Sequence, residues 1–64
     1  MAVTLEYVLA FAHKNGCTTA VELYQKWDEV YDMTEPPPAG YENWPLIQMA
    51  QWIAAHYTGP TPTP

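Results

Sequence analysis

The fold of this chain is decided by residues 40–59, GYENWPLIQMAQWIAAHYTG. A helix is predicted over residues 45–57, which contain no Asp, Glu, Lys or Arg and are too apolar to lie on a solvated surface. Pro45 suits the first helical position, because the N–H that proline lacks has no partner there, and either Asn43 or Trp44 would then be the N-cap. Helical spacing predicts one buried face, formed by Leu46, Met49, Ala50, Ile53 and Tyr57.

A first helix is predicted upstream of this stretch, over residues 5–15. Thr4 suits the N-cap position, and Gly16 suits the position just after the helix, where a left-handed backbone is common. Tyr7 and Phe11 are large and lie off the main core stripe, so this helix must be covered on more than one side. The main stripe, at i, i+3, i+4 and i+7, is formed by Leu5, Val8, Leu9 and Ala12.

A second helix is predicted over residues 20–34. Thr19 and Glu22 form a capping box at its start, and the three prolines at 36–38 end it because proline cannot continue a helix. Glu22 is also expected to pair with Lys26 one turn later. The short connection predicts a helix 1–helix 2 hairpin, with helix 3 packed across it. The inner stripe of helix 2 is formed by Ala20, Leu23, Trp27, Val30 and Thr34.

The predicted fold is therefore all-α, with three short helices, a loop and a tail. Residues 35–43 are expected to form a stiff loop, partly polyproline II, which places Tyr41 and Trp44 on the helices. The tail at residues 58–64, TGPTPTP, is predicted to be disordered and extended. Residues 1–57 then form a single all-helical domain.

Size and charge limit the classes of function. The chain has 64 residues and one cysteine, Cys17, so no intramolecular disulfide can stabilise it. Its net charge is −5 and it contains no arginine, which argues against direct nucleic-acid binding because phosphate contacts need Lys and Arg. The N-terminal apolar run is short and interrupted by Glu6, so neither a signal peptide nor a membrane span is predicted. A cytoplasmic location with a reduced thiol is expected.

Self-association is the predicted means of stabilising so small a domain. Helices 1 and 3 are apolar almost all round, and the chain has three Trp, five Tyr and one Phe. One small monomer cannot cover this much apolar surface. We therefore predict a symmetric homodimer that uses aromatic residues of helix 3. The predicted interface residues are Tyr7, Phe11, Trp27, Tyr31, Trp44, Met49, Trp52 and Ile53.

The sequence predicts neither a catalytic site nor a cofactor. His13, Cys17 and His56 are the soft metal ligands of the chain, and they lack the close paired spacing of a zinc site. Cys17 has His13 nearby but no oxyanion motif, so a small turn residue is the better interpretation. Each histidine lies in the last turn of a predicted helix, where the helix dipole favours a positive charge.

The second predicted helix and its end carry a set of acidic residues. Helix spacing alone produces such a solvated face. Two functional alternatives are a surface for a basic partner and an inhibitor that mimics nucleic acid and blocks a basic site on a host protein. The hairpin also has the outline of a helix-turn-helix, but its second helix carries four acids against one lysine, which argues against DNA binding. The acidic surface consists of Asp28, Glu29, Asp32 and Glu35.

The layout of the chain resembles that of a group of phage proteins. The features are residues 3–20, VTLEYVLAFAHKNGCTTA, the proline loop, and GYENWP at 40–45 leading into an uncharged helix. Together they resemble the short, acidic, all-helical accessory proteins encoded in early regions of lambdoid phages. The resemblance implies a helical dimer in the host cytoplasm that acts on host or phage regulation through protein contacts. It also implies an influence on the choice between lysis and lysogeny.

Overall fold

The all-α prediction is confirmed by a computed structural model, which describes residues 3–33 and 35–59 of the chain. Residues 60–64 of the predicted disordered tail lie outside these ranges. Every regular element within them is helical, and none is a strand. In chain order the elements are α1 at Leu5–Lys14, α2 at Ala20–Tyr31, a 3₁₀ turn at Tyr41–Asn43 and α3 at Leu46–His56.

The other two helices are arranged around α3. It packs against both α1 and α2, which confirms the predicted position of helix 3. Met49, Ala50 and Ile53 have no exposed surface, as their spacing along the sequence predicted. They share one core with the fully buried residues of the other helices, which are Val8, Ala12, Ala20, Leu23 and Trp27.

Both α1 and α2 begin at the side-chain caps that the sequence predicted. The Thr4 hydroxyl accepts the backbone N–H of Tyr7 at 3.1 Å. At the start of α2, the Thr19 hydroxyl accepts the N–H of Glu22 at 3.2 Å, and the Glu22 carboxylate accepts the N–H of Thr19 at 3.2 Å. These bonds satisfy donors that have no partner within the helix, so the predicted capping box is confirmed.

The turn between α1 and α2 is closed by its own backbone. Gly16 has a φ of +70°, in the left-handed region that favours glycine. The N–H of Gly16 donates to the carbonyl of His13 at 3.3 Å, and the N–H of Cys17 donates to the carbonyl of Ala12 at 2.9 Å. This pair of bonds is a Schellman motif. Asn15 becomes the C-cap, so α1 ends one residue earlier than predicted.

The second helix is shorter than the predicted range 20–34, because the chain leaves helical geometry after Tyr31. Asp32 has a φ of 59° and a ψ of 100°. The Asp28 carboxylate then accepts the backbone N–H of Met33 at 2.8 Å, and this bond competes with another helical turn. The helix therefore ends before the proline run that the sequence pattern indicated as its end.

The core contact of α2 follows the predicted row through Ala20, Leu23 and Trp27, which are fully buried, and departs from it at Val30. Val30 was expected on the inner stripe, but 50% of its surface is exposed, whereas Tyr31 is partly buried. From Leu23 and Trp27 the contact continues four residues on to Tyr31, rather than three residues on to Val30. The prediction for Val30 is therefore wrong, and Thr34 lies outside the described residues.

The proline loop reaches α3 through a tight turn. Gly40 has a φ of 89°, and the N–H of Tyr41 donates to the carbonyl of Pro38 at 3.3 Å. The ring of Tyr41 then lies 5.8 Å from that of Tyr24. Trp44 is partly buried against the core. The prediction that both aromatic residues of this segment pack onto the helices is confirmed.

The third helix is one residue shorter at each end than predicted. Pro45 has an extended ψ of 157° and is the N-cap, so neither Asn43 nor Trp44 occupies that position. The last helical residue is His56, and the C-cap is Tyr57, whose φ of −71° and ψ of 120° are also extended. Gly59 does not close the helix. It lies beside the ring of Tyr57, where an added Cβ would come within 2.7 Å of the phenol oxygen.

Candidate protein-interaction surface

An open groove of about 500 Å³ runs between α1 and α2. Tyr7, Phe11 and Tyr31 line it and are partly buried, while Val30 leaves half of its surface exposed. Polar side chains meet the groove near the C-terminal end of α1. The full lining, which we call the aromatic groove, consists of Tyr7, Ala10, Phe11, Lys14, Asn15, Val30 and Tyr31.

Large rings form the contact between α1 and α2. The ring of Phe11 lies 4.9 Å from that of Trp27 and 5.6 Å from that of Tyr31. The ring of Tyr7 lies 6.2 Å from that of Trp27, in an edge-to-face arrangement. Aromatic pairs favour such offset and T-shaped geometries. Because rings of this size separate the two helices, a groove remains between them at the surface.

Two tyrosine hydroxyls meet at one end of the groove. The hydroxyls of Tyr7 and Tyr31 are hydrogen-bonded at 3.0 Å. This bond, followed by burial, raises the pKa of Tyr31 to about 12, because the bond favours the neutral phenol. Tyr31 therefore stays neutral at physiological pH. Its ring presents an apolar face to the groove, and its hydroxyl group is held in place by Tyr7.

Trp27 lies in the core and has no exposed surface. Its ring contacts those of Tyr7, Phe11, Tyr31 and Tyr57, with centroid distances from 4.5 Å for Tyr31 to 6.2 Å for Tyr7. The indole N–H has no hydrogen-bond acceptor among the described residues. A buried donor without a partner costs about 1–3 kcal/mol. The packing of the surrounding rings has to offset that cost.

Three of the predicted interface residues lie entirely inside the chain. Trp27, Met49 and Ile53 have no exposed surface, so they are not available to a partner while the chain is folded. For Met49 and Ile53 the physical reason is that α3 is covered by α1 and α2 of the same chain, and Trp27 of α2 is enclosed by the rings around it. These three residues therefore belong to the core of the single chain, and the predicted homodimer interface stays a prediction. Three others, Tyr7, Phe11 and Tyr31, line the aromatic groove.

Of the remaining two predicted interface residues, Trp52 belongs to a second aromatic cluster. The ring of Tyr24 lies 6.3 Å from that of Trp52 and 5.8 Å from that of Tyr41. The imidazole of His56 stacks on Trp52 at 4.7 Å, with only 18° between the planes. Trp44 and Trp52 are both partly buried against the core. Each keeps some surface exposed, but most of its ring is used within the chain.

The predicted acidic residues make separate contacts. Asp28 is occupied by the backbone N–H beyond the end of α2. Glu35 lies 2.9 Å from the Nδ1 atom of His56, at the C-terminal end of α3. Burial, followed by the charge of Asp32, raises the pKa of Tyr57. The carboxylates therefore serve different local contacts within the chain.

Lys26 of α2 pairs with a different carboxylate from the one predicted. Lys26 approaches Glu29 at 4.0 Å, and not Glu22, because the Glu22 carboxylate is used by the capping box. That carboxylate accepts hydrogen bonds from Thr18 and Thr19, and the shortest, from the Thr18 hydroxyl, is 2.8 Å. These bonds, led by the one from the Thr18 hydroxyl, lower the pKa of Glu22.

The single thiol lies in a protected position beside the α1–α2 turn. Cys17 is buried, and its Sγ–H donates weakly to the carbonyl of Glu22 at 3.7 Å. Burial, and then the Glu22 carboxylate, raise the pKa of Cys17, although Lys26 lowers it. A neutral thiol is the opposite of what a nucleophilic cysteine needs. His13 is exposed, and residues 3–33 and 35–59 bring no three potential metal-ligating side chains together.

Four residues that line the aromatic groove were not among the predicted interface residues: Ala10, Lys14, Asn15 and Val30. On α1, Tyr7, Ala10, Phe11 and Lys14 follow the i, i+3, i+4, i+7 spacing of a second stripe. This signal was present in the sequence beside the main core stripe. Val30 had no such signal, because its spacing fits the core of α2 as well as the spacing of Tyr31 does.

Comparison with known proteins adds no relative. No protein-family model matches the chain, and no curated protein or solved structure matches it. The resemblance to phage accessory proteins stays a prediction. Among the described residues, no helix has the length and apolar character needed to cross a membrane.

Proposed function

We propose that this chain is a small homodimeric regulatory protein whose two copies meet at the aromatic groove and which, as a dimer, acts on its partner through protein–protein contacts. The observation that supports the proposal is an open groove lined by the partly buried rings of Tyr7, Phe11 and Tyr31 and by Val30, which is half exposed. Apolar surface of this kind, edged by polar groups, is typical of interaction sites. The proposed activity requires no catalytic group and no cofactor, and a cytoplasmic location would suit it.

The groove has the chemistry of a binding surface. Tyr7, Phe11 and Tyr31 are held by ring contacts and, for the two tyrosines, by a mutual hydrogen bond. Rigid aromatic side chains lose little conformational entropy on binding, and they are enriched at the centres of interfaces. Lys14 adds a positive charge at the end of the groove, in a chain that has only two lysines.

The biological role that we propose comes from the resemblance to lambdoid phage accessory proteins. On that basis the partner is a host or phage regulatory protein, and the contact shifts the balance between lytic and lysogenic development. The features that support this part of the proposal are the residues at 3–20 and 40–45. Affinity capture from host cells, with the wild-type protein as bait, would identify the partner.

The proposal is tested with two matched substitutions at exposed aliphatic residues. Val30 is 50% exposed and lines the groove, while Ile47 is 44% exposed and lies on α3, outside the groove. Sedimentation equilibrium should show that the wild-type mass exceeds that of the 7.3 kDa chain. Val30→Asp is expected to shift the protein towards the monomer, and Ile47→Asp is expected to behave as wild type. Equal effects of the two substitutions would argue against the groove.

The alternative, an acidic inhibitor that mimics nucleic acid, predicts a different response to salt. Binding by charge mimicry weakens steeply as ionic strength rises, whereas an apolar groove contact changes little. The net charge of −5 favours the alternative, but Asp28 and Glu35 are occupied by local contacts. A DNA-binding helix-turn-helix has less support, because the carboxylates on α2 would repel phosphate.

A further inference from the structure

Three residues of α1 form an outward row with opposite charges at its ends. Glu6, Ala10 and Lys14 are spaced i, i+4, i+8, and all three are exposed. An α-helix rises 1.5 Å per residue, so Glu6 lies about 6 Å from Ala10 towards the N-terminus of α1, and Lys14 lies about 6 Å from Ala10 towards its C-terminus. Neither Glu6 nor Lys14 has an ion-pair partner among the described residues. We call these three residues the charged row.

The charged row is complementary to itself when one copy is reversed. If two copies of α1 cross antiparallel at Ala10, Glu6 of each chain meets Lys14 of the other. In a parallel arrangement, like charges would face each other and repel. Alanine at the crossing point also allows two helices to approach closely, because its side chain is only a methyl group. The row therefore specifies an orientation as well as a contact.

The negative net charge of the chain makes the charged row important for any contact between two copies. With a net charge of −5, two copies repel each other unless their few cations face carboxylates. The chain has only two lysines, and Lys26 already lies near Glu29 in its own helix. Lys14 is therefore the cation available for a contact between copies. It also lines the aromatic groove, together with Ala10.

We propose that a second copy of this chain covers the groove, with the two α1 helices crossing antiparallel at Ala10 and two Glu6–Lys14 pairs between the copies. This inference rests on the proposed homodimer and gives it a specific geometry. A stable interface buries roughly 800 Å² per partner, about a fifth of the chain's 4105 Å² of accessible surface. The contact must therefore extend from the charged row across the groove to Val30.

This arrangement replaces a dimer built on helix 3. The apolar face of α3 is already used by α1 and α2 of the same chain. Its outward surface presents Ile47, which is 44% exposed, beside the uncharged Gln48 and Gln51. No opposite charges on that surface would set the orientation of a partner. The charged row on α1 provides that orientation.

A charge-swap experiment tests the geometry. Glu6→Lys and Lys14→Glu each place like charges opposite each other twice per dimer, so each variant alone should dimerise about tenfold more weakly at low ionic strength. Mixing the two variants restores both attractive pairs, and so does the double variant. The readout is the dimer dissociation constant from sedimentation equilibrium. Circular dichroism of each variant would verify that α1 remains folded.

A matched control separates the specific pair from net charge. Glu42→Lys changes the net charge by the same amount as Glu6→Lys, but at the 3₁₀ turn, outside the charged row. It is expected to strengthen dimerisation slightly, since it lowers the repulsion between copies, whereas Glu6→Lys should weaken it. The double variant carries both unfavourable changes to the helix dipole. Its recovery would therefore show that loss of helix stability does not explain the single variants.

The outcomes distinguish this inference from the proposed function. If wild type dimerises but neither the mixture nor the double variant regains wild-type affinity, the proposed Glu6–Lys14 pairing is wrong. The homodimer would then use another surface. If both single variants dimerise as wild type does, the row is likewise overturned. If wild type stays monomeric from micromolar to millimolar concentration, both the geometry and the proposed homodimer fail. Recovery in both the mixture and the double variant supports the antiparallel crossing.

Discussion

At the scale of single residues, Trp27 is the side chain on which the interior depends most. It is the largest of the fully buried residues, and it touches rings from α1, from α2 and from the residue after α3. Its indole N–H has no acceptor among the described residues. Burial of the ring therefore stabilises the chain, while burial of the N–H opposes it.

Substitution of Trp27 should separate these two effects. Trp27→Ala is expected to lower the free energy of unfolding by about 3–5 kcal/mol, because it leaves a large cavity. Trp27→Phe should lose much less, since phenylalanine keeps a ring in contact and removes the unpaired donor. Urea denaturation followed by circular dichroism would measure both. An equal loss in the two variants would contradict this account, because the ring kept by phenylalanine would then contribute nothing to stability.

The tyrosine pair at the groove predicts a specific alkaline titration. The pKa of Tyr31 is about 12, above its ordinary value of 10.0, chiefly because of the hydrogen bond with Tyr7. The folded state thus holds the proton more tightly than the unfolded state does. This contribution to stability is complete below about pH 10 and is lost as the pH rises towards 12.

Tyr7→Phe is expected to lower the pKa of Tyr31 and to narrow that pH window. Carbon-13 NMR of labelled tyrosine rings would follow Tyr31 alone, and thermal unfolding at several alkaline pH values would follow stability. Tyr41→Phe is a suitable control, because it removes a hydroxyl distant from this pair. An unchanged titration of Tyr31 in Tyr7→Phe would contradict the assigned cause.

At the scale of elements, hydrogen bonds at the ends decide where helices begin and stop. α1 and α2 start at Thr4 and Thr19, whose hydroxyls accept backbone N–H groups. The end of α2 was less predictable. Asp28 accepts the N–H of Met33, and the chain turns away at Asp32 well before the prolines. Side-chain bonds of this kind favour the cap over another helical turn.

The capping box predicts an acid-dependent loss of stability. The folded pKa of Glu22 is lowered, first by the hydrogen bond from the Thr18 hydroxyl. Its contribution is therefore present above the ordinary pKa of 4.5 and is lost as the pH falls through the lowered value. Glu22→Gln should be less stable than wild type at neutral pH, and the difference should shrink in acid.

Urea denaturation at neutral and acidic pH would measure this difference. Gln25→Ala on the exposed side of α2 is the control, since it changes neither the capping box nor a carboxylate. A difference between wild type and Glu22→Gln that stays constant with pH would mean that the capping carboxylate has an ordinary pKa. The capping geometry would then not account for its stability.

At the scale of the whole molecule, a polar contact joins the start of the proline loop to the end of α3. Glu35 begins the proline loop and His56 ends α3, and their side chains meet at 2.9 Å. Both side chains are well exposed, at 52% for Glu35 and 43% for His56. An exposed pair of this kind contributes at most about 1 kcal/mol. The contact therefore positions the loop more than it stabilises the fold.

Glu35→Gln is expected to lower the free energy of unfolding by less than about 1 kcal/mol. Its main effect should be faster amide hydrogen exchange in the 3₁₀ turn, with α1 unchanged. Glu42→Gln is the matched control, because its carboxylate makes no ion pair among the described residues. Hydrogen exchange followed by NMR would detect the difference. Faster exchange throughout all three helices would show that the contact holds the whole fold together.

The sequence by itself determined the number of α-helices, the N-caps of α1 and α2, the glycine after α1 and the packing of α3 against the other two helices. Each of these depends on neighbours only a few residues apart. Thr19 and Glu22 meet within one turn, Gly16 suits the left-handed end of α1, and α3 contains no charge that would hold it at the surface. Local spacing and local hydrogen bonds can be recognised from the order of residues along the chain, and these predictions were confirmed.

Only the tertiary structure decided which apolar residues face inward and which line the groove. Val30 and Tyr31 are adjacent, and either one continues the row of Trp27 at helical spacing. Their separation into an exposed and a partly buried position depends on how α1 and α3 approach α2. For Met49 and Ile53, helical spacing predicted burial, but only the packing of α1 and α2 on α3 decided that the burial is complete within one chain. Contacts between helices distant in sequence make that choice, and no local pattern contains it.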